Sequence, residues 1–222
     1  MPDIKERPII FSGEMVRKIL AGEKTQTRRV VKPQPTKDAD GMWHWKDCQW
    51  MDGGLGFPVS GIADHSQCGI AGDRLYVRET GHTYHWDKPR VVYRADYDDG
   101  AKPCRVRTQI ETYEVGRWTP AIHMPRWASR ITLEITNVRI ERLQSITEED
   151  AVAEGFEVTG WSPTFNDPDN INGIPTFTPR DNYAEYWDSL NAKRGFSWES
   201  NCWVWCIEFR LMALIPERTC RK

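Results

Sequence analysis

The sequence lacks any long apolar run. No stretch approaches the roughly 18 consecutive apolar residues of a membrane-spanning helix, and the start, MPDIKERPII, has no basic segment followed by an apolar one. We therefore expect a protein that is neither exported nor inserted in a membrane and that resides in the cytoplasm. The six cysteines are irregularly spaced, and without an export signal this spacing favours reduced thiols over a disulfide framework.

A strong net charge is also absent. The chain has 30 basic and 32 acidic residues, a net charge of −2, which argues against a protein that coats duplex DNA by neutralising many phosphates. There is no glycine-rich phosphate loop and no G-x-S-x-G elbow. Any contact with nucleic acid must therefore be local. The basic residues cluster at positions that a fold can bring together, although charges scattered over a solvated surface explain them equally well.

Paired C-x-x-C metal knuckles are missing as well. One H-x-x-C pair is present, and a zinc site could use Cys48, His65, Cys68 and Cys104, but this pattern is weak. Cys202 and Cys206 lie four apart on a predicted strand, a spacing that suits core thiols better than a tight metal site. We expect no metal ion and no cofactor.

Hydrophobic residues make up 39% of the 222 residues and aromatic residues 11%, enough for a folded core. The length predicts one domain over residues 1–222 with insertions. Residues 33–71 and 157–177 have no clear period and are expected to be two long inserted loops. The tryptophans of the first loop, Trp43, Trp45 and Trp50, can either stack on bases or pin the loop to the core; the second role is the commoner one.

The remaining segments alternate short strands with few helices. Ser12 predicts the start of a helix that Gly22 ends, and Thr147 with Asp150 predicts a short helix that Gly155 ends. A third helix is expected from Thr178 and Pro179, with Tyr183, Tyr186, Trp187 and Leu190 on one face. Strands are expected at Ile9–Phe11, Gly72–Glu79, Arg90–Asp96, Ser129–Leu143 and Trp203–Leu211, with Arg90–Asp96 beside Gly72–Glu79 and a register slip near Asn137. This order indicates an α+β fold, mainly β, in which a small barrel carries capping helices.

One segment concentrates the chemistry. Residues ILAGEKTQTRR, from Ile19 to Arg29, hold a lysine, two threonines and two arginines directly after a helix. In an extended stretch Lys24, Gln26 and Arg28 share one face, and Thr25, Thr27 and Arg29 share the other. A handover from helix to strand is a favourable position for a binding site.

This segment resembles the signature of the ASCH domain family in the PUA-like superfamily. GDRLYVRE, the long strand from Ser129 and LQSITEEDAVAEGF follow in the order and spacing of that family. The tryptophan-rich insertion and IHMPRWASRITLE look most like its longer branch, encoded by phages and prophages. The resemblance implies a PUA-like β-barrel that binds a nucleic acid, a nucleoside or a nucleotide, with RNA or another single strand as the expected ligand.

Two activities follow from the resemblance. The bacterial family members that deacetylate N4-acetylcytidine use a Lys, a Thr and a Glu, and these match Lys24, Thr27 and Glu154. A lysine near a threonine can take the hydroxyl proton while a carboxylate orients the pair, so the chain can be an amidohydrolase acting on an acylated base. Many PUA-like domains only bind, and binding without turnover is the favoured expectation. The expected ligand-binding residues are Gly22, Lys24, Thr25, Arg28 and Arg78.

Overall fold

The computed structural model describes residues 4–46, 48–51, 66–85, 89–97, 106–107, 112–113, 118–162 and 174–214. Two compact units divide the chain. Unit 1 is Met1–Gly22, Ala71–Ile135 and Phe209–Lys222, and unit 2 is Glu23–Ile70 and Thr136–Glu208. The expectation of a single domain stays a prediction.

The described residues form fourteen strands and three α-helices. The helices are α1 (Gly13–Ala21), α2 (Glu148–Ala153) and α3 (Pro179–Asn191). The strands are β1 (Glu6–Ile10), β2 (Gln26–Val30), β3 (Thr36–Lys37), β4 (Met42–Trp45), β5 (Cys48–Met51), β6 (Arg74–Arg78), β7 (Gly81–His85), β8 (Pro89–Tyr93), β9 (Val106–Arg107), β10 (Thr112–Tyr113), β11 (Ile131–Arg142), β12 (Thr159–Ser162), β13 (Ile174–Phe177) and β14 (Trp203–Leu214).

The largest sheet has five strands in the order β1-β6-β11-β14-β2. Both β11 and β14 run from one unit into the other. The structure is therefore mostly sheet with few helices, as the sequence predicts. The strand order of the described residues is open, so the predicted closure into a barrel is not seen there.

Unit 1 begins with the elements that local sequence rules predict. The Ser12 side chain accepts a hydrogen bond from the Met15 amide, and Gly22 ends α1 with a φ of 79° that other residues rarely adopt. Strand β1 pairs in parallel with β6, and β6 pairs antiparallel with β11. The sequence predicted that Arg90–Asp96, which overlaps β8, would lie beside β6, and this prediction was wrong. Strand β8 pairs with β7 instead, because two strands joined by a short connection form a hairpin.

Unit 2 contains the other two helices, and both begin as predicted. Thr147 caps α2, and Thr178 forms a capping box with Asp181 at the start of α3. Tyr183 and Trp187 are buried on α3. Leu190, predicted on the same face, is 47% exposed, because it lies in the last turn of the helix.

Strand β11 shows the predicted change of register. Along it Ile135 and Val138 are buried, and the two residues between them, Thr136 and Asn137, are both exposed. The exposed pair interrupts the alternation of inward and outward side chains. This exposed pair directly follows Ile135, the last residue of β11 that belongs to unit 1.

Neither predicted loop is without regular structure. Strands β3, β4 and β5 form an antiparallel sheet within 33–71, and β12 pairs with β13 within 157–177. Trp45 is buried, its ring lies 5.4 Å from that of Trp205, and its indole nitrogen donates to the Pro33 carbonyl at 2.7 Å. Loops were expected because these strands are only two to four residues long, too short for a period to show. The Trp50 side chain lies outside the described residues.

Among the described residues, no helix has the length and apolar character needed to span a bilayer.

Candidate functional site

In unit 2, strand β2 and residues 203–208 of β14 separate two chemically different surfaces. In their antiparallel register Arg28 pairs with Cys206, and Thr27 pairs with Ile207. Because side chains alternate along a strand, Arg28 and Thr27 lie on opposite faces. The predicted alternation within β2 is confirmed by Gln26 and Arg28, which both reach the Asp150 carboxylate.

Lys24 and Glu154 form a buried ion pair on the Arg28 face. The Lys24 ammonium donates to Glu154 Oε2 at 2.7 Å and to the Glu154 backbone carbonyl at 2.7 Å. Lys24 is 4% exposed and Glu154 is 3% exposed. The next residue, Thr25, donates its backbone N–H to the Ala153 carbonyl at 2.8 Å. The end of α2 therefore fixes both the backbone and the ammonium of the segment that precedes β2.

Arg28 lies beside this pair and is itself 2% exposed. Its Nη2 atom donates to Asp150 Oδ2 at 2.8 Å and to Glu141 Oε2 at 3.2 Å. Its Nη1 atom lies 3.6 Å from Glu154 Oε1, beyond hydrogen-bonding distance. The guanidinium thus uses one of its three nitrogens for all the hydrogen bonds that it makes to these carboxylates.

A second arginine, Arg139 on β11, completes the network. It donates to Glu141, to Glu208, to Gln26 Oε1 at 3.2 Å and to Asp150 Oδ1 at 3.1 Å. We call the whole set the ionic cluster. Its members are Lys24, Gln26, Arg28, Arg139, Glu141, Asp150, Glu154 and Glu208.

The ionic cluster has three cations and four carboxylates, a formal charge of −1. Burial alone would raise the pKa of Asp150, but Arg28, Gln26 and Arg139 outweigh it and lower the pKa below its ordinary value. Burial likewise opposes the charge of Arg28, yet the nearby groups, Glu154 and Asp150 among them, raise its pKa. Both groups are therefore held in their charged forms.

Three buried polar atoms of this cluster make no hydrogen bond to the described part of the chain. They are Arg28 Nε, Arg28 Nη1 and Glu154 Oε1. Two of them are donors and one is an acceptor, and Arg28 Nη1 lies 3.6 Å from Glu154 Oε1. Leaving a buried polar group unsatisfied costs about 1–3 kcal/mol, and more for a charged group. A bound group that offers both an acceptor and a donor would therefore satisfy these atoms.

Thr27, the predicted nucleophile, is 2% exposed but faces the other side of β2. Its place one residue from Arg28 in the pairing of β2 with β14 gives it this orientation. The structure thus brings together two of the three predicted catalytic residues. The catalytic roles stay a prediction, and the geometry of Thr27 weighs against the set acting together.

The other predicted ligand-binding residues differ in position. Thr25 is exposed beside Lys24. Gly22 and Arg78 belong to unit 1, where Gly22 ends α1. Arg78 donates from Nη1 to the Ile122 carbonyl at 3.3 Å, and its guanidinium lies 5.6 Å from the centre of the Tyr76 ring. Their part in binding stays a prediction.

Sequence reasoning missed most of the carboxylates of the cluster. Asp150 was recognised only as a helix cap, although it precedes Glu154 by four residues, a spacing that places both on one side of α2. Arg139 and Glu141 alternate on β11, and this alternation was a second signal. Tyr183 of α3 was expected only to pack, and burial, with Glu154 nearby, raises its pKa well above the ordinary value.

The described residues contain no group of three or more His, Cys, Asp and Glu side chains that could hold a metal ion. Of the four residues in the weak zinc pattern, only Cys68 has a described side chain. The side chain of Cys48, and all of His65 and Cys104, lie outside the described residues. Cys202 and Cys206 are buried free thiols, which confirms their expected place in the core.

No family model matches the chain, and no curated protein matches it in sequence. Two solved structures resemble it. One is a protein of the family DUF984 from Enterococcus faecalis, with 10% identity, a TM-score of 0.43, and coverage of 100% of this chain and 88% of the other. The second is an ASCH domain from Lactobacillus crispatus, with 10% identity, a TM-score of 0.37, and coverage of 93% and 79%. Likeness at this level carries no argument about function.

Proposed function

We propose that this chain binds a nucleobase at the ionic cluster of unit 2 and does not turn it over. The base belongs to a nucleoside, a nucleotide or a single-stranded nucleic acid, with RNA as the favoured form. The resemblance of Ile19–Arg29 to the ASCH signature supports this class of ligand. The proposal includes membership of the ASCH family.

One observation carries the proposal. Arg28 Nε and Nη1 and Glu154 Oε1 are buried without hydrogen-bond partners among the described residues. A nucleobase edge presents acceptors next to an amino donor, and carboxylates in proteins accept from the amino group of cytosine. Such an edge would accept from Arg28 and donate to Glu154. Cytosine and its N4-modified forms are the first candidates.

The charges favour the base over the phosphate of a nucleotide. Lys24, Arg28 and Arg139 already face four carboxylates, and the net charge of the cluster is −1. A phosphate would therefore approach a site of its own sign. A neutral heterocycle meets no such repulsion and still satisfies the unpaired donors and acceptor.

Hydrolysis of an acylated base is the second candidate, because Lys24 and Glu154 meet at 2.7 Å. Two facts weigh against it. The ammonium of Lys24 is already a donor to Glu154 and so cannot take a proton from a hydroxyl. Thr27 also lies on the opposite face of β2 from Arg28, away from the unpaired atoms.

Titration calorimetry with cytidine, N4-acetylcytidine, uridine, adenosine and guanosine tests the proposal, using wild-type protein and Glu154→Gln. Lys24 donates to Oε2, so the glutamine is expected to turn its oxygen towards Lys24 and its NH₂ group to the former position of Oε1. A donor then replaces the acceptor that the base needs. Affinity should fall about 10-fold or more, as expected when a buried group loses its partner.

Glu208→Gln is the matched control. It removes the same charge from the same cluster, but Glu208 touches Arg139 rather than Lys24 or Arg28. Its affinity should remain within about two-fold of wild type, since partly exposed pairs contribute little. Absence of binding by every nucleoside, or equal losses in both variants, would reject the ionic cluster as the site.

A further inference from the structure

Trp203 and Trp205 lie on the opposite face of β14 in unit 2, and Trp43 and Trp45 of β4 pack against them to form two layers. Trp43 of β4 lies edge-on to Trp203, with ring centres 5.4 Å apart, and Trp45 lies edge-on to Trp205 at the same separation. The inner pair, Trp45 and Trp205, is buried. The outer pair, Trp43 and Trp203, is only half-buried. The outer pair is therefore partly accessible at the surface, whereas the inner pair is not.

Three cations lie over the rings of these tryptophans, two of them over the outer pair and one over Trp45. The Arg142 guanidinium lies 4.7 Å from the ring centre of Trp43 and 4.5 Å from that of Trp203. The exposed Lys37 places its ammonium 5.5 Å from the Trp43 ring, and Lys46 lies 4.5 Å from the Trp45 ring. We call Lys37, Trp43, Lys46, Arg142 and Trp203 the tryptophan surface.

Two described acids adjoin this surface in sequence. Glu141, next to Arg142, belongs to the ionic cluster, and Asp38, next to Lys37, is engaged in its own turn. Asp38 accepts from the Met42 amide at 2.8 Å, from the Asp40 amide at 3.0 Å and from His44 at 2.6 Å. The His44 hydrogen bond, followed by that of Met42, lowers its pKa. Asp38 thus supports the β3–β4 turn that presents Lys37 and Trp43.

We propose that the tryptophan surface binds single-stranded nucleic acid, with a base stacked on Trp43 and the flanking phosphates held by Lys37, Lys46 and Arg142. Half-exposed indoles offer a π-face to any base, and interleaved basic side chains attract the backbone. The Lys37 ammonium, which is exposed and mobile about its long stem, exchanges the indole face for a phosphate while a base takes its place over the ring.

This inference extends the proposed function from a single base to a strand. Binding of a strand at the tryptophan surface can fail while binding of a nucleobase at the ionic cluster stands. Arg28 lies on one face of the β2–β14 pair, and Trp205, with Trp203 two residues earlier in β14, lies on the other. A free nucleoside can therefore occupy the ionic cluster without reaching Trp43. An acidic peptide is the competing occupant, since it also suits a basic surface, but it offers no planar group for the indoles.

The test measures fluorescence anisotropy of a labelled oligouridine of about 12 nucleotides, within the usual size of such sites. Trp43→Ala should weaken binding by about 5- to 150-fold, the range for loss of one stacked base, and Trp43→Phe should restore most of it. Lys37→Ala should reduce the slope of log K against log salt by about 0.7, the value for one phosphate contact on a single strand.

Lys193→Ala is the matched control, because Lys193 is an exposed lysine of unit 2 that is not part of the tryptophan surface. Its salt slope should equal that of wild type. An oligouridine affinity unchanged by Trp43→Ala and Lys37→Ala overturns the inference, as does tighter binding of oligoglutamate at the same surface. Nucleoside binding that survives such a result leaves the proposed function intact. Oligouridine binding lost in Trp43→Ala but kept in Glu154→Gln supports the tryptophan surface alone.

Discussion

Removal of the Lys24 ammonium should destabilise the protein strongly. In Lys24→Met the apolar stem is kept, but Glu154 remains buried at 3% exposure without the cation that now lies 2.7 Å away. Breaking a buried ion pair by removing one partner costs about 3–5 kcal/mol, because the desolvated charge of the other partner is left uncompensated. Arg28 Nη1, 3.6 Å from Glu154 Oε1, is too far to replace the lost hydrogen bond.

Urea unfolding, followed by both circular dichroism and tryptophan fluorescence, measures this loss. With a slope of about 2 kcal/mol per molar, a loss of about 4 kcal/mol lowers the midpoint by about 2 M. Lys18→Met is the matched control, because Lys18 pairs with Glu14 at 3.5 Å in a more exposed i,i+4 contact. That substitution should cost only about 0.3–0.5 kcal/mol.

The double variant Lys24→Met, Glu154→Met completes the cycle. Replacing both charges of a buried pair by apolar side chains is often neutral or stabilising, so the double variant should be more stable than Lys24→Met alone. The coupling between the two sites should then amount to about 2 kcal/mol or more. A cost below about 1 kcal/mol for Lys24→Met, or no coupling in the cycle, would refute a buried and mutually dependent pair.

Three further predictions concern the surroundings of the cluster. Thr27→Ala should leave nucleoside affinity, measured by calorimetry, within about two-fold of wild type. Thr27 faces away from the proposed site, so the variant should not incur the roughly 0.5–1.5 kcal/mol that one lost hydrogen bond costs. A loss of 10-fold or more would place Thr27 in the site. The lowered pKa of Asp150 stabilises the fold above the ordinary pKa of the carboxyl, and this contribution is lost as the pH falls through the folded-state value. Asp150→Asn should therefore flatten the acid limb of a stability-against-pH curve, and an unchanged acid limb would contradict this. Burial raises the pKa of the Cys206 thiol to about 12, so peptide mapping after iodoacetamide treatment at pH 8 should find Cys206 unlabelled in the native protein and labelled in the protein unfolded in urea. Labelling of Cys206 at equal rates in the two states would contradict its burial.

Local rules predicted the helix ends. Ser12, Gly22, Thr147 and Thr178 each act through neighbours within three or four residues, so the chain alone specifies the caps. The pairing of β1 with β6 joins residues 68 positions apart, and no local pattern encodes it. The same limit explains why β8 was placed beside the wrong strand.

The candidate site was predictable in its first half only. Lys24 and Arg28 follow from the alternation of an extended segment, and Glu154 came from the resemblance to a family. The carboxylates that neutralise Arg28 come from β11 and α2, more than 110 residues away in sequence, and only the fold brings them near. This distance is why the sequence predicted Arg28 as a ligand-binding residue, while the structure shows its guanidinium already paired with acids.

The tryptophans of the insertion illustrate the reverse case. Pinning to the core was the commoner role expected for them, and Trp45 fulfils it by burial against Trp205. Trp43, two residues earlier on the same face of β4, lies only half-buried beside Arg142. The sequence could not distinguish the two, because both depend on how β4 lies against β14.

Mass spectrometry of the protein after incubation with N4-acetylcytidine and cytidine tests the central claim most directly, because it detects retained ligand and reaction products in one sample. We expect wild-type protein to retain unmodified nucleoside with no release of acetate, and Glu154→Gln to lose the ligand while Glu208→Gln keeps it. Conversion of N4-acetylcytidine to cytidine, or equal retention by Glu154→Gln and wild type, would contradict a binding site built on Arg28 and Glu154.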